Sequence, residues 1–334
     1  MAPPVLTSVV PNTGPVAGTN PVTLNGSQFT GATAVTFGSA AALSYTVTTP
    51  SAISATVPPG TGTVNVTVRT PSGLSNTVTY TYAPAPTLSS IAPGQGPTSG
   101  GTTVVLTGTG LTGATAVTFG STPATSFTVN SATQITATTP AGNGAVPVTA
   151  TTVGGTSGAV FFSYLTAPSL LSVAPSQGPA SGGTTVVLTG TGLTGTTSVT
   201  FGSTPATSFT VNSATQITAV SPAGTGTVPV TVTGPGGTSN TVFYSYLAAP
   251  ALTALSPAQG PTTAGASVTL TGTGLTTASA VLFGSTPASF TVVSDTTLVA
   301  LAPAGPAGAV AVGVTTAAGS SNTVSYLRVA APAI

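Results

Sequence analysis

Five residue types are missing altogether: the chain has no cysteine, tryptophan, histidine, lysine or glutamate. Its only charged side chains are Arg69, Arg328 and Asp295, so 334 residues carry a formal net charge of +1. Without cysteine there is no disulfide and no thiolate chemistry, although small secreted domains often lean on disulfides; these sequences must hold by packing and backbone pairing. Zinc sites want histidine or cysteine, and calcium or magnesium sites want several carboxylates, so no metal site is expected. A glycosidase with two carboxylates is excluded by the single acid. Serine and threonine are plentiful, but a nucleophile needs a base and a group to orient it, and only Asp295 could serve. No catalytic, cofactor-binding or metal residue is therefore assigned, no cofactor is expected, and the chain is not read as an enzyme.

The scarcity of cations is equally restrictive. Binding nucleic acid means displacing counterions with several cationic contacts, which two arginines in different parts of the chain cannot supply. Polybasic attraction to a membrane surface fails for the same reason. No apolar run reaches the eighteen residues of a membrane-spanning helix, so neither nucleic acid nor membrane insertion is expected. The opening Met1-Ala2-Pro3-Pro4 lacks the charged and apolar regions of a secretory signal.

What the chain does have is glycine (42), proline (30) and a hydrophobic fraction of 40 %. The first two disfavour long helices, and the third argues against disorder. Above all, it has a period. Phe37-Gly38, Phe119-Gly120, Phe201-Gly202 and Phe283-Gly284 are spaced 82 residues apart, as are Gly14-Pro15, Gly96-Pro97, Gly178-Pro179 and Gly260-Pro261. A fixed period means one folding unit used four times.

The four copies form an internal alignment that assigns strand faces. Val104-Val105-Leu106 is ambiguous alone, but its counterparts Val22-Thr23-Leu24, Val186-Val187-Leu188 and Val268-Thr269-Leu270 admit threonine in the middle. Val104 and Leu106 therefore face the core and Val105 faces out. The same reasoning points Val117/Phe119, Val64/Val66/Val68, Phe127/Val129 and Ile135/Ala137 inward. Each unit closes on an aromatic: Tyr80, Phe162, Tyr244 and Tyr326. Six or seven short alternating strands separated by turn residues predict an all-β unit, an antiparallel β-sandwich.

Short proline-bearing junctions, Ala83-Pro84-Ala85-Pro86, Thr166-Ala167-Pro168 and Ala248-Ala249-Pro250, divide the chain into domains 1–83, 84–166, 167–248 and 249–334. Proline favours extended backbone at itself and before it. Stiff joints at equal spacing predict a rod rather than flexible beads.

These residues resemble the IPT/TIG domains, a family of immunoglobulin-like folds. The pattern is fullest in the second unit: Ile91-Ala92-Pro93, Gly96-Pro97, Gly100-Gly101-Thr102, Val104 to Gly110, Val117-Thr118-Phe119-Gly120 and Pro123-Ala124. The third unit repeats it from Gly178 to Ala219. The first has Ser39-Ala40-Ala41 after its Phe-Gly, and the fourth loses a residue near Ser289 and regains one near Gly308. The resemblance implies four tandem immunoglobulin-like domains of a kind used as spacers and binding modules in surface receptors, bacterial surface proteins and some polysaccharide-acting enzymes. It does not choose among functions.

Three apparent sites have plainer explanations. Gly108-x-Gly110-x-x-Gly113 and Gly190-x-Gly192-x-x-Gly195 match a dinucleotide-binding pattern, which requires a helix after the glycines. Here the strand at Val117 follows at once, so the glycines are read as turns. Asp295 is read as a loop residue beside a turn. Tyr80, Tyr82, Tyr164, Tyr244, Tyr246 and Tyr326 could form a sugar platform but are read as inward-packing strand residues with the hydroxyl at the rim. Asn25-Gly26-Ser27 and Asn65-Val66-Thr67 are glycosylation sequons only in a glycosylating host.

The expectation that follows is a non-catalytic structural protein, a self-associating rod of an extracellular fibre, surface layer or virion appendage. Near-zero charge removes repulsion between copies, strand edges lack the lysines that discourage strand addition, and repeated surfaces favour head-to-tail contacts. The expected partner is another copy of the chain, with surface polysaccharide as the alternative. The alternative function is an adhesin stalk or glycan-binding array acting by avidity; a third is a non-catalytic piece of a larger enzyme.

Overall fold

The computed structural model describes residues 2–331. The chain divides into two compact halves, Met1–Thr166 and Ala167–Ile334. Each half holds two copies of the repeat, and every copy has its own buried core.

The first repeat contains β1 (Val5–Val10), β2 (Thr13–Pro15), β3 (Pro21–Ser27), β4 (Ala34–Phe37), β5 (Ala40–Ala41), β6 (Ser44–Thr49), β7 (Ala52–Thr56), β8 (Gly62–Thr70), β9 (Gly73–Leu74) and β10 (Val78–Ala83). One sheet has the order β1-β3-β7-β6; the other runs β2-β10-β8-β4-β5, with β9 paired to β8. The other three repeats have the same orders. The immunoglobulin-like β-sandwich expected from the sequence is the fold found, with one departure from antiparallel pairing: β2 pairs with β10 in parallel, Thr13 opposite Thr81 and Pro15 opposite Ala83.

Alternation explains which residues hold the two sheets together. Val22, Leu24, Ile53 and Ala55 from the first sheet meet Val35, Phe37, Val66, Val68 and Tyr80 from the second, all buried. Each such side chain contributes about 1.5–3 kcal/mol when fully withdrawn from water. In the second repeat Val104 and Leu106 are buried while Val105 is half-buried, as the internal alignment predicts. Phe127 and Val129 point inward but are only partly covered, because they lie on the edge strand Ser126–Ser131. The closing aromatic stands edge-on to the repeat's phenylalanine, with ring centroids 5.3 Å apart for Phe37–Tyr80 and 5.7 Å for Phe119–Phe162. That geometry adds about 0.5–1.5 kcal/mol beyond burial.

The first strand of a repeat is fastened by an amide some seventy residues further on. Asn76 Oδ1 accepts from the Leu6 N–H at 2.8 Å and its Nδ2 donates to the Leu6 carbonyl at 2.8 Å. Asn240 holds Leu170 and Asn322 holds Leu252 in the same two-bond manner. In the second repeat the position is Gly158.

Candidate interaction surface

The structure resolves the three apparent sites. Gly110 and Gly113 take φ values of +67° and +73°, and Ala116–Phe119 follows as a strand. A side chain at Gly108 would collide with the carbonyl of Thr87 across the strand pair. These glycines therefore serve turns and close strand pairing, and a strand rather than a helix follows them. Asp295 is exposed in a turn, where the Thr276 hydroxyl donates to its Oδ1 at 2.8 Å and the Gly274 N–H to its Oδ2 at 3.3 Å. These two donors, the hydroxyl first, hold its carboxyl below the ordinary range. The corresponding residues Pro50, Ala132 and Ala214 accept the same backbone bond that Leu275 gives Asp295, with no side-chain role.

All six tyrosines weighed as a sugar platform are buried. Tyr82 and Tyr164 donate their hydroxyls to the carbonyls of Pro58 and Pro140, each at 2.8 Å. Burial pushes the Tyr80, Tyr82, Tyr164 and Tyr246 hydroxyls up from their ordinary value. In the fourth repeat Arg328 occupies the place of Tyr82, Tyr164 and Tyr246, and its Nη2 donates to the Pro303 carbonyl at 3.1 Å. One of the two cations is thus buried, while Arg69 is exposed. Among the described residues no three metal-ligating side chains stand together, and no helix is long and apolar enough to cross a membrane. Of the sequon residues, Asn65 is exposed, and Asn25 is half-buried with its Nδ2 bonded to Ser8 Oγ at 3.1 Å.

The exposed aromatics are different residues. Phe161 and Phe243 are 65 % and 61 % exposed on the outer face of the larger sheet, each directly opposite a proline, Pro147 and Pro229. The corresponding pairs are Thr79 with Asn65 in the first repeat and Ser325 with Ala311 in the fourth. Neither phenylalanine belongs to the set of tyrosines considered for a sugar platform. The signal was present: Phe162 faces inward, so alternation turns Phe161 outward, and the internal alignment sets polar Thr79 and Ser325 at the same place.

The fourth repeat also departs from the others on this face. Thr36–Thr67, Thr118–Thr149 and Thr200–Thr231 form hydroxyl pairs at 2.7, 2.9 and 2.8 Å. In the fourth repeat that pair becomes Leu282 and Gly313, leaving a recess of about 160 Å³ lined also by Ala311, Ser321 and Thr323.

Free edges recur as well. β6 and its counterparts Ser126–Ser131, Ser208–Ser213 and Phe290–Ser294 end the smaller sheet and contain no charged residue and no proline. Proteins usually blunt such edges with lysine, proline or a bulge. Here a register shift near the end of each strand is the device present.

The family profile described as IPT/TIG domain matches residues 4–82, 86–164, 168–246 and 250–327. Comparison with curated proteins gives no match. Among solved structures, the chain is similar to the plexin A4 full extracellular region at 18 % identity, covering 94 % of this chain and 36 % of that one, with a TM-score of 0.36. It is similar to invasin, a bacterial integrin-binding protein, at 17 % identity over 97 % of this chain and 79 % of that one, TM-score 0.32. A third similar structure is SGBP-B from a complex xyloglucan utilization locus in Bacteroides uniformis, at 23 % identity over 57 % of each chain, TM-score 0.25. The chain thus spans about a third of the plexin region it matches.

Proposed function

The chain belongs to the IPT/TIG domain family, and from that premise we propose that it is a non-catalytic structural protein, a self-associating component of an extracellular fibre, surface layer or appendage. Its domains run 1–83, 84–166, 167–248 and 249–334 and present closely related surfaces one after another. The observation that carries this reading is the uncharged free edge that closes the smaller sheet in all four repeats. An unpaired edge is a template for a strand of another molecule, and apart from the register shift near each strand's end these edges carry no charge or proline to discourage one. A net charge of +1 adds almost no long-range repulsion between copies. Chemistry is left to other chains: the one carboxylate beside a hydroxyl, Asp295 at Thr276, sits in an exposed turn with a lowered pKa, which makes it a weak base.

The test is negative-stain electron microscopy of the purified protein over a concentration series at low and high salt. Ordered filaments or sheets are expected, little changed by salt. Thr46→Lys, Thr128→Lys, Thr210→Lys and Thr291→Lys, all at exposed edge positions, are expected to disperse them together while leaving circular dichroism and Tm unchanged. Filaments that survive all four lysines exclude strand addition as the contact. Single molecules at every concentration sink self-association itself.

A further inference from the structure

The outer face of the larger sheet is not the same in every repeat, and the differences are complementary. In the second and third repeats a bare phenylalanine ring projects beside a proline. In the fourth, the same register positions hold Ser325 and Ala311, and the neighbouring hydroxyl pair is replaced by Leu282 beside Gly313. Bulk stands out on one face where the other is hollow. We propose that this is a lock between copies of the chain: Phe161 or Phe243 of one molecule seats its ring in the Gly313 recess on the fourth repeat of another. The lock rests on the self-association proposed above and specifies a contact for it that does not involve strand edges.

Size, polarity and charge agree. The recess measures about 160 Å³, and a cavity of roughly 150 Å³ is enough to take up a benzene molecule. Leu282, Ala311 and the bare backbone of Gly313 offer an apolar seat, rimmed by Ser321 and Thr323. Neither face carries an ionised side chain, since Arg69, Asp295 and Arg328 all lie elsewhere. Phe243 does not occupy the recess of its own half, because its ring is 61 % exposed. One aromatic ring buries only about 150–250 Å², well short of the roughly 1,200 Å² or more of a stable interface. A single lock is therefore weak and gains strength by recurrence along an assembly. The two surfaces differ, so the contact is heterologous and extends into an open array unless its rotation closes.

Two variants break the lock from opposite sides, using residues that sister repeats already carry. Phe161→Ser with Phe243→Ser removes both rings, as at Ser325. Gly313→Thr fills the seat, as at Thr67, Thr149 and Thr231. A Cβ at Gly313 meets only the Thr323 methyl at 3.5 Å and Ser321 Oγ at 3.8 Å, so the fill is not strained. Sedimentation velocity over a concentration series should show wild type associating and each variant associating about tenfold or more weakly, the usual consequence of losing a central aromatic anchor. Mixing the two variants should restore complexes of limited size, since one brings only rings and the other only a seat. Unchanged Tm in each variant excludes misfolding as the cause. If wild type and both variants associate alike, the lock is wrong while self-association stands. If wild type is monomeric throughout, both readings fall. Association of wild type only after a neutral polysaccharide is added would also overturn the lock, by making the rings a glycan surface.

Discussion

From Gly96 to Ala137 and from Gly178 to Ala219 the second and third repeats are almost letter-for-letter copies, and their cores correspond one to one: Val104, Leu106, Phe119 and Ile135 against Val186, Leu188, Phe201 and Ile217. Their first strands are nevertheless held differently. In the third repeat Asn240 grips both backbone groups of Leu170, and Leu170 and Val173 are buried at 4 % and 8 % exposure. In the second repeat Gly158 offers no side chain, and Leu88 and Ile91 are only half-buried. A shared core thus does not settle how tightly every strand of a sandwich is bound. A single amide distant in sequence fastens the first strand, and where it is absent the strand lacks those two hydrogen bonds and is less deeply buried.

The largest effect should leave this comparison intact. Phe119→Ala and Phe201→Ala are each expected to destabilise their repeat by about 3–5 kcal/mol, the range for emptying a buried aromatic site. Chemical denaturation followed by repeat-resolved hydrogen exchange would read the two losses. Nearly equal costs support a common core, and a cost below about 1 kcal/mol at either site would mean that the residue is not core.

The next experiment exchanges the two repeats' difference. Asn240→Gly removes two hydrogen bonds and should cost about 1–3 kcal/mol, seen as faster amide exchange in Ser169–Ala174. The reverse change, Gly158→Asn, should slow exchange in Thr87–Ala92 by a smaller factor, worth about 1 kcal/mol. A side chain at Gly158 meets nothing within 4 Å, and its φ is not positive, so the gain is not offset by strain. Exchange in Thr87–Ala92 that is already as slow as in Ser169–Ala174 would break the comparison.

The smallest effect concerns the fourth repeat alone. Asp295 has a folded-state pKa below its ordinary value of 3.8, because Thr276 and Gly274 donate to the ionised form. Its contribution is therefore present above that value and is lost as pH falls through the lowered one. Calorimetry should show the Tm of Asp295→Asn falling less than wild type on acidification below about pH 4. Parallel curves would show that the carboxylate adds nothing.

The fold was readable to the extent that it rests on alternation and period. Val104, Leu106, Phe119 and the closing aromatics were placed inward by comparing four copies of one unit, and all are buried. The short strands were not readable. Thr13–Pro15 has three residues and no alternation, and its parallel partner is almost seventy residues away. Nor could Ser75-Asn76 be told from a turn, because its grip on Leu6 is a tertiary contact. On the interaction surface, the tyrosines face inward as expected, but the hydroxyls of Tyr244, Tyr246 and Tyr326 are buried rather than at the rim. The exposed phenylalanines were legible in principle from the same alternation, whereas the recess depends on the absence of side-chain volume at Gly313 and needs coordinates to be seen.

The turn that pulls Asp295 down and the cores that push Tyr82, Tyr164 and Tyr246 up have a joint consequence. They move ionisations at the two ends of the titration curve further apart, and the groups that normally titrate between them, histidine and cysteine, are absent. From about pH 5 to about pH 8 no side-chain type present in the chain has its ordinary ionisation, which leaves the α-amino terminus as the group that titrates there. The side chains therefore add almost no buffering capacity over that span, and the field they set up is nearly constant. Contacts between copies of the kind proposed above, made by uncharged side chains, would then depend little on pH over that span.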